Sequence, residues 1–439
     1  MPRARYRMFS ALAALFALMV LSTPSLAALK VQRVTSPGGI KAWLAEEHAL
    51  PMIVMDFAFR GGTKLDPPGR LGLANLAAST IDEGAGEMDS QAFQTRLEEL
   101  AIQLGFQADQ DAFHGRMKTL TQNRAEAFRL LKLALGAPRF DEEPVARIKA
   151  QILAGLRADE EDPQTIASKA WFAAAFPDHP YGRPDKGEAD QVKQISASDL
   201  RQFIKSQFTR DRLVITVAGD IGAKELGRLL DEAFGGLPEG SGAAPSAPVA
   251  PQVDQNILIE REIPQTVIMF GLPGMLRKDP DFIPAYVMNY ILGGGGFSSR
   301  LTTEIREKRG LAYSVYSYLM PLEQSGLFVG GVATQNERAG ETVRLLRQEL
   351  KRLRDKGVTG KELEDAKTYL TGSFPLRFDS NAKIAAQLNG LQLEDLDADY
   401  LERRNDLIRA VTREDVNRVA RRLLNVENLL VVSVGQPAG

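Results

Sequence analysis

The chain has 439 residues, with 54 Lys and Arg against 56 Asp and Glu, a net charge of −2, three His and no Cys. Near-neutral charge argues against an electrostatic nucleic-acid binder, and the lack of Cys excludes disulfides, thiolate metal sites and cysteine nucleophiles. Hydrophobic content of 44% and charged content of 25% are ordinary for a globular protein, and the length calls for more than one domain.

In chain order, Arg3, Arg5 and Arg7 precede an apolar run from Phe9 to Leu21. Ser25-Leu26-Ala27 then places small residues at −3 and −1 of a cleavage site. Residues 1–27 therefore read as a signal peptide, which puts the mature protein in a periplasm or outside the cell. An uncleaved anchor helix is the alternative. Met52 to Phe59 is an apolar strand ending at Gly61-Gly62, and Gly72 to Ile81 reads as helical. Ser90 to Leu104 reads as a helix, with Phe93, Leu97, Leu100 and Ala101 at helical spacing. Asp111 to Leu120 alternates as a strand does. Helices are expected at Arg124 to Leu135, Glu143 to Glu160, Ile166 to Phe176 and Ser198 to Phe208, the last capped by Ser198. Leu213 to Ala218 is a buried strand.

Gly235 to Gln252 is dominated by Pro, Gly, Ala and Ser, and Pro245, Pro248 and Pro251 favour extended backbone. The sequences on either side of it repeat. Thr121-Gln122-Asn123 and Thr334-Gln335-Asn336 each precede an amphipathic run, and Gln194 to Asp220 matches Ala410 to Gln436 at a near-constant offset. Residues 28–236 and 253–439 therefore form two homologous units of about 200 residues, too long a period for a solenoid, joined by a linker at 237–252. The linker is expected to act as a hinge. In the second unit, Thr359 to Glu362 has the form of a capping box. Strands followed by runs of helices define an α+β fold, each unit a mostly antiparallel sheet covered by helices.

His48, His114 and His179 are widely spaced, so neither zinc signature with two His on one helical turn is present; each His reads as a surface or strand residue. The Gly-rich run Leu292 to Phe297 lacks the context of a nucleotide site and is expected to be a turn or a close backbone approach. It opens the stretch LGGGGFSSRLTTEIREKRGLAYSVYSYL, Leu292 to Leu319. Ser298 or Ser299 would cap a helix running to Arg309, with Gly310 at its C′ position and a strand from Leu311 to Leu319. Arg306, in the last turn, and Tyr313, near the strand's start, would then converge across a tight turn.

This stretch resembles the pitrilysin/insulinase family of zinc peptidases, and the likeness extends over nearly the whole mature chain, including Arg60 to Leu76. In that family an Arg and a Tyr at this spacing contact the peptide near the scissile bond, where a cation and a phenol suit developing negative charge. The resemblance implies that role for Arg306 and Tyr313. It also implies a missing metal site. Where active members carry HxxEH after a GLA-like tripeptide, Gly72-Leu73-Ala74 is followed by Asn75, Ala78 and Ser79 at the ligand and catalytic positions. The distal Glu falls near Gly155. Some family members are heterodimers in which one subunit carries zinc and its partner carries the Arg/Tyr pair. The resemblance therefore implies a non-catalytic, peptide-binding subunit of a heterodimeric exported zinc endopeptidase. Such a chain binds no cofactor itself, and zinc sits in a homologous partner. A peptide-binding or scaffold protein with no role in proteolysis is the alternative.

Overall fold

The computed structural model describes residues 30–242 and 247–437; the expected signal segment lies outside the described residues. Six strands form the first sheet: β1 (Val31–Thr35), β2 (Lys41–Glu46), β3 (Met52–Arg60), β4 (Gln103–Ala108), β5 (Ala112–Leu120) and β6 (Leu213–Gly219). Their order is β1-β2-β6-β3-β5-β4. Five form the second: β7 (Asn256–Glu260), β8 (Gln265–Pro273), β9 (Ala312–Pro321), β10 (Gly326–Gln335) and β11 (Leu430–Gly435), in the order β7-β11-β8-β10-β9.

The sequence repeat is thus an architectural repeat. The series β2, β6, β3, β5, β4 corresponds to β7, β11, β8, β10, β9. In each sheet the first of these pairs is parallel and the remaining neighbours are antiparallel. Gly219 and Gly435, matched in sequence, end the corresponding strands β6 and β11 with φ of 136° and 149°. A Cβ at Gly219 would lie 2.2 Å from Met52 O, and one at Gly435 2.8 Å from Thr266 Cα, so the repeat needs glycine at both places.

Helices of each half cover one face of its own sheet, giving the α+β layering that the sequence implied. The opposite faces are covered reciprocally. Helix Pro163–Ala175 of the first half lies on the second sheet. Its Ala167, Trp171 and Ala175 pack with Val329, Leu430, Val432 and Val434. Helix Asn381–Leu393 of the second half lies on the first sheet, where Ile384, Ala385 and Leu388 meet Ala45, Val54 and Ala218. Asn389 Nδ2 and Gln392 Nε2 donate to Asp56 O and Ile215 O beneath it. The linker is tied down as well: Val249 N donates to Gln324 O and Gln252 N to Ala175 O, both at 2.7 Å. Opening the halves about this stretch, as a hinge requires, would break both helix–sheet contacts.

Several local expectations are corrected. The helix expected from Ser90 to Leu104 ends at Glu99, because Ala101 adopts φ 51° and turns the chain into β4. That edge strand was hidden by the apolar spacing before it. The cap of the helix before β6 is Ser196, which forms a capping box with Asp199, rather than Ser198. The helix expected to reach Arg309 ends at Glu307 in a widened turn, with Lys308 N on Thr303 O and Leu311 N on Ile305 O. The capping box of Thr359 and Glu362 is present. No helix of the described residues is long and apolar enough to cross a membrane.

Candidate functional site

The Gly-rich run is a close approach of backbones. A Cβ on Gly293 would lie 2.4 Å from Ser317 Oγ and 2.8 Å from Ser317 N, so only glycine lets this segment lie against β9. Asn289 fixes the register from the other side. Its Nδ2 donates to Ser317 O at 3.1 Å, and its Oδ1 accepts from Ser317 Oγ at 2.8 Å. Downstream, Arg300 forms a bidentate pair with Glu362 at 2.6 and 2.8 Å and donates to Gly357 O. The start of the next helix is thereby bound to the neighbouring capping box. Ser299 accepts from Thr302 N, as expected of a cap.

Three cations follow in the run REKR. Buried Glu304 takes two of them, Lys308 at 2.6 Å and Arg309 at 2.8 Å, with Arg352 at 3.5 Å. These bonds hold the Glu304 carboxyl down at about 2. Arg306 is left without a carboxylate partner among the described residues. Its guanidinium lies 4.5 Å from the Phe297 ring centroid and 5.0 Å from that of Tyr313, within cation–π reach of both. Phe297 is 69% exposed and Tyr313 86% exposed.

A β-bulge aims Tyr313. Ala312 pairs with Thr334 and Val315 with Val332, so two β9 residues oppose one on β10. Ala312 and Val315 both enter the core on the helix side. Tyr313 and Ser314 therefore both emerge on the opposite, open face. The structure brings Arg306 and Tyr313 together, and it adds Phe297 from the end of the Gly-rich run, to which the sequence pattern assigns no role. An aromatic ending a glycine run just before a cationic helix was the available signal.

The helix at the position of the family's metal motif runs from Leu73 to Thr80. It starts at Gly72, φ 94°, and the Asp66 carboxylate accepts from Gly72 N and Ala74 N at 2.8 and 2.9 Å. Burial pushes that carboxyl up to about 6. The residues there do not fit zinc. Ser79 Oγ donates to Asn75 O at 2.9 Å, Ala78 is buried without a donor atom, and Gly155 has no side chain. The three His are engaged elsewhere: His48 with Asp220 at 2.7 Å, His114 with Asp109 at 2.8 Å, and His179 accepting from Tyr181 N at 3.2 Å. Among the described residues no three His, Asp or Glu side chains converge on a metal position.

Fold and site together define an α+β duplicated peptidase scaffold without its metal ligands. Residues 194–370 match the family model described as peptidase M16 inactive domain. The Helicobacter pylori non-peptidase homolog YmxG is 31% identical over 346 residues, covering 78% of this chain and 79% of that one. Bacillus subtilis YmxG, named an uncharacterized zinc protease, is 26% identical over 88% of this chain and 96% of its own. The crystal structure of a peptidase M16 inactive domain from Pseudomonas fluorescens superposes with a TM-score of 0.88 at 31% identity, over 94% of this chain and 98% of the other. The chain belongs to the peptidase M16, or pitrilysin, family, and its own residues replace that family's HxxEH motif.

The Glu304 cluster predicts an acid limb. A carboxyl held near 2 in the fold and at about 4.3 when unfolded contributes stability above that unfolded value, and loses it as pH falls toward 2. Glu304→Gln should melt below the parent at pH 7. The difference should shrink as pH drops from about 4.5 to about 2, as followed by circular dichroism melts at several pH values.

Proposed function

We propose that this chain is the non-catalytic, peptide-binding subunit of a two-subunit exported zinc endopeptidase, supplying Arg306 and Tyr313 to an active site whose zinc the partner holds. The observation that carries this reading is the contrast between the two halves of the chain. In the first half the metal positions hold Asn75, Ala78, Ser79 and Gly155. In the second half a guanidinium with no carboxylate partner among the described residues lies against two rings on an open face. A cation and a phenol so presented suit a peptide carbonyl gaining negative charge. Export, to a periplasm or outside the cell, is supported by the N-terminal charge and apolar pattern of residues 1–27.

The test is reconstitution. The chain is co-purified with a homologue from the same organism that carries HxxEH, and cleavage of an unstructured peptide is followed by mass spectrometry. Cleavage is expected to need both chains. Full cleavage by the zinc-bearing chain alone overturns the reading. The name of the Helicobacter pylori relative, a non-peptidase homolog, favours a second reading in which the chain binds peptides as a scaffold. Peptide capture that is unaffected by Arg306→Ala would select it.

A further inference from the structure

The open face that carries Tyr313 does not end there. Val315 and Ser317 point toward the helices, so Tyr316 and Tyr318 point to the other face, where both are about half exposed. Their rings stack at 6.2 Å and 18°. Gly331, opposite Tyr316, leaves the room that its ring occupies: a Cβ there would lie 2.8 Å from the Tyr316 hydroxyl. Met320 and Leu322 continue the same face and line a cleft of about 850 Å³ between the halves. Its other walls are Phe172 and Ala173 from the reciprocal helix, Arg183, and Leu276. The Arg277–Glu394 pair, 2.7 Å apart, sits in the same wall as Leu276. β9 is also an edge strand, bonded to β10 on one side only, so its outer backbone groups are available to an extended chain.

We propose that this cleft is a second binding site for the same peptide that Arg306 and Tyr313 engage, reached along the Tyr316–Tyr318 track. The inference rests on the peptide-binding reading above and adds the substrate's length and conformation. At about 3.3 Å per residue, Tyr313 and Met320 are about 23 Å apart along β9. A peptide lying along the strand spans both sites only when it is extended and has about eight residues or more. The apolar floor of Phe172, Met320 and Leu322 takes one side chain, and the charged rim of either sign takes the peptide's polar groups. Shorter peptides reach one end alone and lose the gain that comes from linking two sites.

The experiment measures fluorescence anisotropy of the full chain with labelled, unstructured peptides of about 5, 10 and 15 residues drawn from one sequence. Affinity is expected to rise about tenfold or more between the shortest and the middle length, then level off. Ala173→Trp fills the cleft from an exposed helix position, and Tyr318→Ala interrupts the track. Each should abolish the length step while leaving the circular dichroism melt unchanged. Peptide binding with no length step, or a step that survives both substitutions, overturns the second site and leaves the peptide-binding reading standing. No binding at any length, with or without the zinc-bearing partner, overturns both.

Discussion

Trp171→Ala should unfold the protein at markedly lower denaturant, with a loss of about 3–5 kcal/mol. Trp171 is fully buried, yet it belongs to the first half and packs into the second. Its ring fills the space above Gly271, where a Cβ would lie 2.4 Å from Trp171 Cζ2, and its Nε1 donates to Leu430 O at 3.3 Å. Truncation removes the largest side chain of the junction. The cavity left behind cannot close easily, because β8 and β11 below it are held in the sheet by their own neighbours. Trp171→Phe keeps most of the volume and should cost much less. A midpoint shift with an unchanged denaturant slope is the expected readout. Two separate transitions in the parent protein would instead mean that the halves unfold independently, and would overturn the account of the junction.

Arg306→Ala should lower cleavage by the reconstituted pair by about 100-fold or more, the order expected when one electrostatic donor to a developing oxyanion is lost. The effect should fall on turnover more than on peptide affinity, because the interaction strengthens as charge develops. Arg306→Lys keeps the charge but not the flat surface that lies against Phe297 and Tyr313, and should recover only part of the rate. Tyr313→Phe preserves the stack and removes the phenol, separating the proton donor from the platform. Cleavage by all three variants at the parent's rate would show that the pair contributes nothing to turnover.

Much of this architecture was legible in the chain because each feature has a local cause. The repeated Gly219 and Gly435 mark strand ends where a side chain would collide with backbone, so the duplication shows in sequence. The convergence of Arg306 and Tyr313 follows from a helix, a left-handed Gly310 with φ 59° and a strand. What was not legible depends on contacts distant in sequence. Helix Pro163–Ala175 has an ordinary apolar face, and nothing in that pattern says which sheet it meets. β4 was missed because Leu100 and Ala101 continue the spacing of the helix before them, and only the positive φ of Ala101 breaks it. That Lys308 and Arg309 are neutralised while Arg306 is not depends on Glu304 being buried, which a run of alternating charges does not reveal.

The reciprocal helices also set the order in which the molecule can be completed during synthesis. Helix Asn381–Leu393 covers the first sheet, so that sheet keeps a bare apolar face until nearly the whole chain has left the ribosome. Strand β11, paired between β7 and β8 in the second sheet and the seat of helix Pro163–Ala175, is the last strand made. Neither half can mature ahead of the other. A nascent chain therefore carries uncovered apolar surface for most of its synthesis, the condition under which aggregation competes with folding. A gene cut between the halves should yield two insoluble fragments when they are expressed singly and one soluble particle when they are made together.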